Sequence, residues 1–188
     1  MIKTYLNYAV LCMIVAVGTF HQLNTKRFGN QTTKSPDHQI NQLLTIAKSQ
    51  IGVREATGNN DGEAVERYLR YTDNKKGKPW CAAFVSWVFG QAGYSQPRTA
   101  WSPSLFPKAR RVTSAKPATV FGIYFKDKGR IAHAGLVEKQ QKDWVYTIEG
   151  NTNLRGSREG DGVYRKLRHA KTIAAYANWL PLEKGVLR

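Results

Sequence analysis

Apolar residues recur at helical spacing in three stretches of the first half of the chain. The first begins near Asp37, which can cap a helix, and its inward face carries Ile40, Leu43, Leu44, Ala47 and Ile51. The second covers residues 64–71, and its inward face carries Val65, Tyr68 and Leu69. The third follows Pro79, a residue that suits the entry to a helix, and its apolar face carries Cys81, Phe84, Val85, Val88 and Phe89. The pattern therefore predicts three helices.

Beyond Gly93 the pattern changes to short runs rich in β-branched and aromatic residues, separated by polar or Gly-rich loops. These runs predict strands at residues 120–125, 132–137, 144–149, 163–167 and 174–179. Between them and the helices, residues 97–117 are irregular, with one turn of helix expected around 105–111. Helices first and consecutive strands afterwards predict an α+β fold, in which N-terminal helices pack on an antiparallel sheet of about five strands.

The N-terminus has a different pattern, because a basic start at Lys3 is followed by an apolar run over residues 5–20. This run is shorter than the roughly 20 residues that span a bilayer, and it is typical of a secretory signal peptide. A cut after Gly18 fits the small residues there, and the alternative is that residues 1–20 stay as a membrane anchor. In both cases we expect export to the periplasm, the cell envelope or the medium. Residues 21–37 are polar and aperiodic, which favours a disordered linker before one domain at 38–188.

The charge is strongly basic, with 29 Lys and Arg against 13 Asp and Glu. Only four of those basic residues lie in residues 1–37, so residues 38–188 carry 25 basic and 12 acidic side chains, a net charge of +13. Such a field favours anionic partners, among them nucleic acid, acidic lipid and the bacterial cell wall. The alternative is a basic protein whose charge serves solubility alone. The net charge by itself does not distinguish this alternative from the anionic partners.

Cys81 is the first candidate for chemistry. In the first turn of the third predicted helix its thiol lies near unpaired backbone N–H groups and the positive end of the helix dipole, which favour the nucleophilic thiolate. If the signal peptide with its Cys12 is removed, Cys81 is the single cysteine, so no internal disulfide can form. The alternative is that Cys81 is a small core residue, since free cysteine is often buried.

A thiol nucleophile needs a base, and the base needs an orienting group. Of the four histidines, His133 opens a predicted strand beside small residues and is the best candidate, although a strand-end histidine can also be structural. The next predicted strand ends in Glu149, Gly150 and Asn151. If the two strands pair antiparallel, Glu149 can lie near the imidazole, Gly150 lets the backbone turn, and Asn151 offers a second polar group.

Three segments of the chain, in this order, resemble the CHAP family of cysteine, histidine-dependent amidohydrolases/peptidases: residues 80–85 (Trp-Cys-Ala-Ala-Phe-Val), 132–135 (Ala-His-Ala-Gly) and 148–151 (Ile-Glu-Gly-Asn). The resemblance covers about residues 46–179. It implies a papain-like fold and cleavage of bacterial cell-wall peptides. It also implies that Cys81 is the nucleophile, His133 the base, Glu149 the orienting residue and Asn151 an additional polar residue of the catalytic set. The chain departs from the family before the histidine strand, where residues 117–122 replace the usual Gly-Asp pair.

From these residues we expect a peptidoglycan hydrolase, either an N-acetylmuramoyl-L-alanine amidase or a peptide endopeptidase. Among the aromatic residues near the motif, we expect Trp80, Trp101 and Tyr124 to contact substrate. Some family members bind calcium, but the loop residues Asp61, Asp73, Asn74 and Asp161 match no calcium-loop spacing. We therefore expect no metal and no cofactor.

Three alternatives remain open at this point. One is a non-catalytic wall-binding module on the same fold, which the complete Cys, His and Glu set disfavours. Another is a papain-like deamidase or transferase acting on a different amide, because fold does not fix function. The last is a nucleic-acid-binding protein, which we rank lowest because the chain lacks the recognition motifs of that class. We expect a monomer whose partner is peptidoglycan or another anionic wall polymer, with membrane contact only through residues 5–20 if they are uncleaved.

Overall fold

The computed structural model describes residues 35–154 and 159–181 of the 188-residue chain. Its described part contains three α-helices, α1 (Pro36–Ser49), α2 (Glu63–Tyr71) and α3 (Cys81–Gln91). Six strands follow in order: β1 (Arg111–Val112), β2 (Val120–Phe125), β3 (Arg130–Gln141), β4 (Trp144–Thr152), β5 (Gly162–His169) and β6 (Ala175–Ala177). The predicted fold class, α+β with helices packed on an antiparallel sheet, is confirmed. The additional strand is β1, which has two residues and no periodicity that a sequence pattern can detect.

The six strands form one antiparallel sheet in the order β1-β6-β2-β3-β4-β5. β3 therefore lies beside β4, as the placement of the candidate base and its orienting residue requires. The pairing between them begins at Leu136 opposite Ile148, close to the end of β3 that carries His133. On its other side His133 lies opposite Ile123 of β2, and a register shift follows at Tyr124. The sheet thus places His133 next to an irregular stretch of pairing, where a side chain from outside the sheet can approach it.

Helix α3 is the centre of the core. Every residue from Cys81 to Phe89 is buried, so the prediction of a single inward apolar face was too narrow. The reason is that α1 and α2 pack on one side of α3 while β3 and β4 pack on the other. A helix with apolar residues on all sides is typical of such a central position. The burial fixes the helix, and with it the position of Cys81 at its first turn.

The start of α1 differs from the sequence prediction in two ways. The helix begins at Pro36, and its cap is Ser35, whose hydroxyl accepts a hydrogen bond from the His38 N–H; the prediction of an Asp37 cap was wrong. Asp37 instead lies in the first turn, where its negative charge interacts favourably with the helix dipole. Ile51, predicted to face inward, is 37% exposed because the helix ends at Ser49.

The segment before the sheet also differs, because residues 102–110 form two short 3₁₀ helices, Ser102–Leu105 and Lys108–Arg110, in place of one helical turn. The predictions of a signal peptide or anchor and of most of the linker lie outside the described residues. Within residues 35–154 and 159–181, no helix has the length and apolar character needed to cross a membrane.

Candidate active site

Cys81 is the first residue of α3 and is only 4% exposed. Its Sγ atom lies 3.5 Å from the hydroxyl oxygen of Ser102, a residue of the first 3₁₀ helix. The imidazole of His133 and the backbone N–H of Ala134, both on β3, also act on the sulfur and favour its thiolate form. The thiol is therefore surrounded by polar hydrogen-bonding groups, which an inert core cysteine lacks.

His133 joins this thiol to a carboxylate. Its side chain is 9% exposed, and its Nε2 atom lies 2.8 Å from Oε2 of Glu149. Because Nε2 faces the carboxylate, Nδ1 is the nitrogen that remains for the Cys81 thiol. Cys81, His133 and Glu149, which the sequence predicted as one set, thus come together in the structure, with His133 bonded to Glu149 and electrostatically coupled to the thiol. This is the arrangement of a nucleophile, a base and an orienting acid.

Glu149 has no exposed surface and accepts hydrogen bonds from three side chains. Besides His133, Thr147 donates its hydroxyl to Oε1 at 2.5 Å, and Arg168 donates Nε to Oε1 at 2.9 Å and Nη2 to Oε2 at 2.6 Å. The sequence analysis missed both partners. Thr147 lies two residues before Glu149 on the same strand, so strand alternation places the two on one face. Arg168 is one of several basic residues on β5, and no local pattern distinguishes it from the others.

The surroundings shift the pKa values of all three groups. Burial raises the pKa of the Cys81 thiol, but the hydrogen bond and charge of His133, together with Ser102 and the Ala134 N–H, lower it to about 7. Burial lowers the pKa of His133, whereas its bonds to Cys81 and Glu149 raise it to about 9. Burial also disfavours the Glu149 carboxylate, but Arg168 and His133 hold its pKa well below the usual range. Because the pKa of the thiol lies below that of the imidazole, the favoured form is a thiolate paired with an imidazolium.

Asn151 lies elsewhere than predicted. Its Oδ1 accepts a hydrogen bond from the backbone N–H of Trp80 at 3.2 Å, and its Nδ2 donates to Oδ1 of Asn60 at 3.0 Å. Its φ of 53° and the register shift between Glu149 and Thr152 place an irregularity of β4 here, where the sequence predicted a turn at Gly150. Asn151 therefore connects the end of β4 to the residue before Cys81, which makes it a positioning residue for α3.

Of the three aromatic residues predicted to contact substrate, Trp80 is fully buried and donates its indole N–H to Oε1 of Glu55 at 2.8 Å. The predicted substrate role of Trp80 is therefore wrong, because its ring packs in the core. Trp101 and Tyr124 are 52% and 49% exposed. Trp101 directly precedes Ser102, the residue whose hydroxyl lies near the thiol, and the Cζ atom of Arg130 lies 4.0 Å from the centre of the Trp101 ring.

The described residues, 35–154 and 159–181, contain no group of three or more His, Cys, Asp or Glu side chains placed to hold a metal ion. The expectation of chemistry without a metal remains a prediction, and the candidate mechanism uses side chains alone.

No protein-family model and no curated protein matches the chain. Among solved structures, the peptidoglycan hydrolase RipB from Mycobacterium tuberculosis is 18% identical, with 78% of this chain and 67% of that chain covered and a TM-score of 0.47. The crystal structure of Ly7917 is 16% identical, with 73% and 60% covered and a TM-score of 0.42. Ly7917 with the hydrolyzing product of MDP is also 16% identical, with 73% and 61% covered and a TM-score of 0.41. These TM-scores are too low to support an assignment, so the interpretation rests on the geometry of the site.

Proposed function

We propose that the chain is a cysteine-dependent hydrolase of the CHAP type that cuts an amide bond of bacterial peptidoglycan, as an N-acetylmuramoyl-L-alanine amidase or a peptide endopeptidase. The observation that carries the proposal is the His133 imidazole that is hydrogen-bonded to the buried Glu149 and electrostatically coupled to the Cys81 thiol. A thiolate at a helix N-terminus, paired with an oriented imidazolium, is suited to attack on an amide carbonyl.

In this mechanism the Cys81 thiolate attacks the carbonyl carbon, and the carbonyl oxygen becomes an oxyanion. The backbone N–H of Cys81 can stabilise that charge, because the first N–H groups of a helix have no partner within it. His133 then gives its proton to the departing amine, and the C–N bond breaks to leave a thioester on Cys81. Neutral His133 next takes a proton from water, whose oxygen attacks the thioester. The acid product leaves, and the thiolate and imidazolium are restored.

Several features support peptidoglycan as the substrate. The net charge of +13 on residues 38–188 favours an anionic polymer. Trp101 and Tyr124 are exposed, Trp101 lies one residue from the serine that contacts the thiol, and Arg130 adds a positive charge beside it. An exposed aromatic ring with a stacked guanidinium suits a peptide or sugar that carries carboxylates. The N-terminal apolar run is consistent with export to the compartment where this substrate is found.

The alternative functions differ in what they require of the site. A wall-binding module needs neither a thiol of lowered pKa nor a buried carboxylate behind a histidine, so the geometry disfavours it. A deamidase or transferase acting on another amide uses the same three residues, and only the substrate separates it from the hydrolase proposed here.

Digestion of purified peptidoglycan by the full chain, beside Cys81→Ala, tests the proposal. We expect soluble fragments from the wild-type protein only, and their masses identify the cut bond: intact stem peptides for an amidase, shorter peptides for an endopeptidase. Circular dichroism of Cys81→Ala should match that of the wild type, which excludes unfolding as the reason for a loss. Binding without cleavage by either protein would favour the wall-binding module. The absence of both binding and cleavage would contradict the peptidoglycan assignment.

A further inference from the structure

We propose that Arg168 is a positioning residue of the active site, which keeps Glu149 ionised and aimed at His133 throughout the reaction and thereby extends activity to lower pH. This inference rests on the proposed function, because it assigns a role within the same site. Neither the resemblance to the CHAP family nor the sequence pattern indicates this arginine.

The first support is the geometry of the pair. Arg168 donates Nε to one carboxylate oxygen of Glu149 at 2.9 Å and Nη2 to the other at 2.6 Å, so the two planar groups meet through two bonds. Oε2, which accepts the shorter of these bonds, also lies 2.8 Å from Nε2 of His133. Two bonds fix the plane of a carboxylate, whereas one bond leaves it free to rotate. The guanidinium, together with the Thr147 hydroxyl on Oε1, therefore holds Oε2 toward the imidazole.

The second support is the set of charges around Glu149. The carboxylate has no exposed surface, and an isolated carboxylate in such a place would take up a proton. Thr147 on β4 contributes a neutral hydroxyl. Lys166 on β5 also interacts with the charges of Glu149 and Arg168, but its ammonium group donates to the Asn153 carbonyl. From β3 comes His133, with the Cys81 thiol of α3 on its far side. Arg168 is thus the cation that contacts Glu149 directly and keeps its charge at every working pH.

The permanent charge of Arg168 matters because His133 is a cation for only part of the reaction. Once it has protonated the departing amine it is neutral, and Glu149 then has no other directly bonded cation than Arg168 among the described residues. Without the guanidinium, the buried carboxylate could take up a proton at this stage. A neutral acid would accept only a weaker Nε2–H bond and could donate its own O–H to Nε2 instead, so it would hold Nδ1 toward water and the thioester less firmly.

The test compares the pH dependence of kcat/KM on peptidoglycan for the full-length wild type, Arg168→Gln and Arg168→Lys. In Arg168→Gln we expect the acid limb to move up by about one pH unit or more, because loss of the cation lets either Glu149 or Cys81 bind a proton more readily. Arg168→Lys keeps the charge but loses the planar fork, so its acid limb should stay near that of the wild type while kcat falls.

Arg165→Gln is the matched control. Arg165 lies on the same strand and pairs in the same two-bond manner, through Nε at 2.6 Å and Nη2 at 3.1 Å, but its partner is Glu138 outside the site. The acid limb of the Arg165→Gln profile should match that of the wild type. An unshifted acid limb in Arg168→Gln, or an equal shift in Arg165→Gln, would overturn the inference while leaving the proposed function intact.

A second measurement does not depend on activity. Thermal unfolding at pH 7 of the wild type, Arg168→Gln, Glu149→Gln and the double variant forms a cycle that isolates the coupling of the two residues. We expect Arg168→Gln to lower the midpoint much less when position 149 is already glutamine. An equal loss in both backgrounds would show that Arg168 does not act through Glu149. Lack of any wild-type activity on peptidoglycan would contradict the proposed function, and this cycle would still decide whether Arg168 holds Glu149.

Discussion

The Oδ1 atom of Asn151 lies 3.2 Å from the backbone nitrogen of Trp80, the residue that directly precedes Cys81. This hydrogen bond joins the end of β4 to the first turn of α3. The same side chain donates to Asn60, so one amide group connects a strand, a helix and a loop. This connection adds to the core packing that fixes the nucleophile relative to the sheet, and hence to His133.

Replacing Asn151 by alanine should therefore reduce both stability and activity. The change leaves the partly buried Trp80 N–H and the Asn60 amide oxygen without their partner, at a cost of about 1–3 kcal/mol in the free energy of unfolding. Denaturant unfolding and kcat/KM on peptidoglycan measure the two effects. Gln140→Ala, which removes an exposed side-chain bond on β3, is the control and should change neither. Wild-type kcat/KM in Asn151→Ala would show that α3 is held in place without this bond.

The activity should have a bell-shaped pH dependence. As pH falls through about 7 the thiolate of Cys81 takes up a proton, and as pH rises through about 9 the imidazolium of His133 loses its proton. Activity should thus be highest between these values, which belong to the coupled pair and not to either residue alone. Initial rates of peptidoglycan digestion across pH 5–11, roughly the range that covers both limbs, measure the profile. A rate that rises continuously above pH 9 would contradict the ion pair.

Ser102 should contribute to the acid limb of the pH dependence of activity. Its hydroxyl lies 3.5 Å from the Cys81 sulfur and is one of the groups that lower the pKa of the thiol. Ser102→Ala should therefore raise that pKa and move the acid limb of the pH profile upward, with little change in the alkaline limb. A profile that superimposes on the wild type would assign Ser102 a packing role only.

Trp101→Ala should weaken substrate binding without affecting the fold. The ring is 52% exposed beside Ser102, so its loss should raise KM by about 3- to 10-fold while kcat and the unfolding midpoint stay close to wild type. Trp144→Ala is the matched control, because Trp144 is 47% exposed but lies at the far end of β4 from Glu149. Equal effects of the two substitutions would contradict a substrate contact at Trp101.

Gly150→Ala should destabilise the protein because α3 approaches the sheet closely at this residue. A Cβ atom there would lie 2.6 Å from Cζ3 of Trp80 and 2.8 Å from Cβ of Phe84. Such overpacking costs about 1–3 kcal/mol, and it would push the start of α3 away from His133. A lower unfolding midpoint together with lower kcat is expected, whereas a fully stable and active variant would mean that the helix can shift without consequence.

Gly150 also illustrates what the sequence could and could not predict. Its conformational freedom suggested a turn, but β4 continues through it with positive φ at Asn151, and Gly150 is needed because a helix distant in sequence packs against it. Periodicity indicated all three helices and five strands, because apolar spacing is a local property of the chain. It could not indicate that Trp80 is buried, since burial depends on which loops cover the ring.

In the candidate site, too, the sequence could predict some residues and not others. Cys81, His133 and Glu149 could be predicted because each lies at the start or end of an element and their order resembles a known family. Arg168 and Ser102 reach the site through strand pairing and a 3₁₀ helix. Those tertiary contacts leave no spacing signal near the motifs, so only the structure identifies these two residues.

The central claim, that His133 holds Cys81 as a thiolate, is tested most directly by the pH dependence of Cys81 alkylation with iodoacetamide. Peptide mass spectrometry locates the label on Cys81 in the full chain. The wild type should react with a midpoint near pH 7. His133→Ala should shift the midpoint to about 8.5 or higher, the ordinary range of a thiol, because burial then acts without the compensating imidazolium. His169→Ala, at the end of β5, should react like the wild type. The same midpoint in His133→Ala and the wild type would contradict the account.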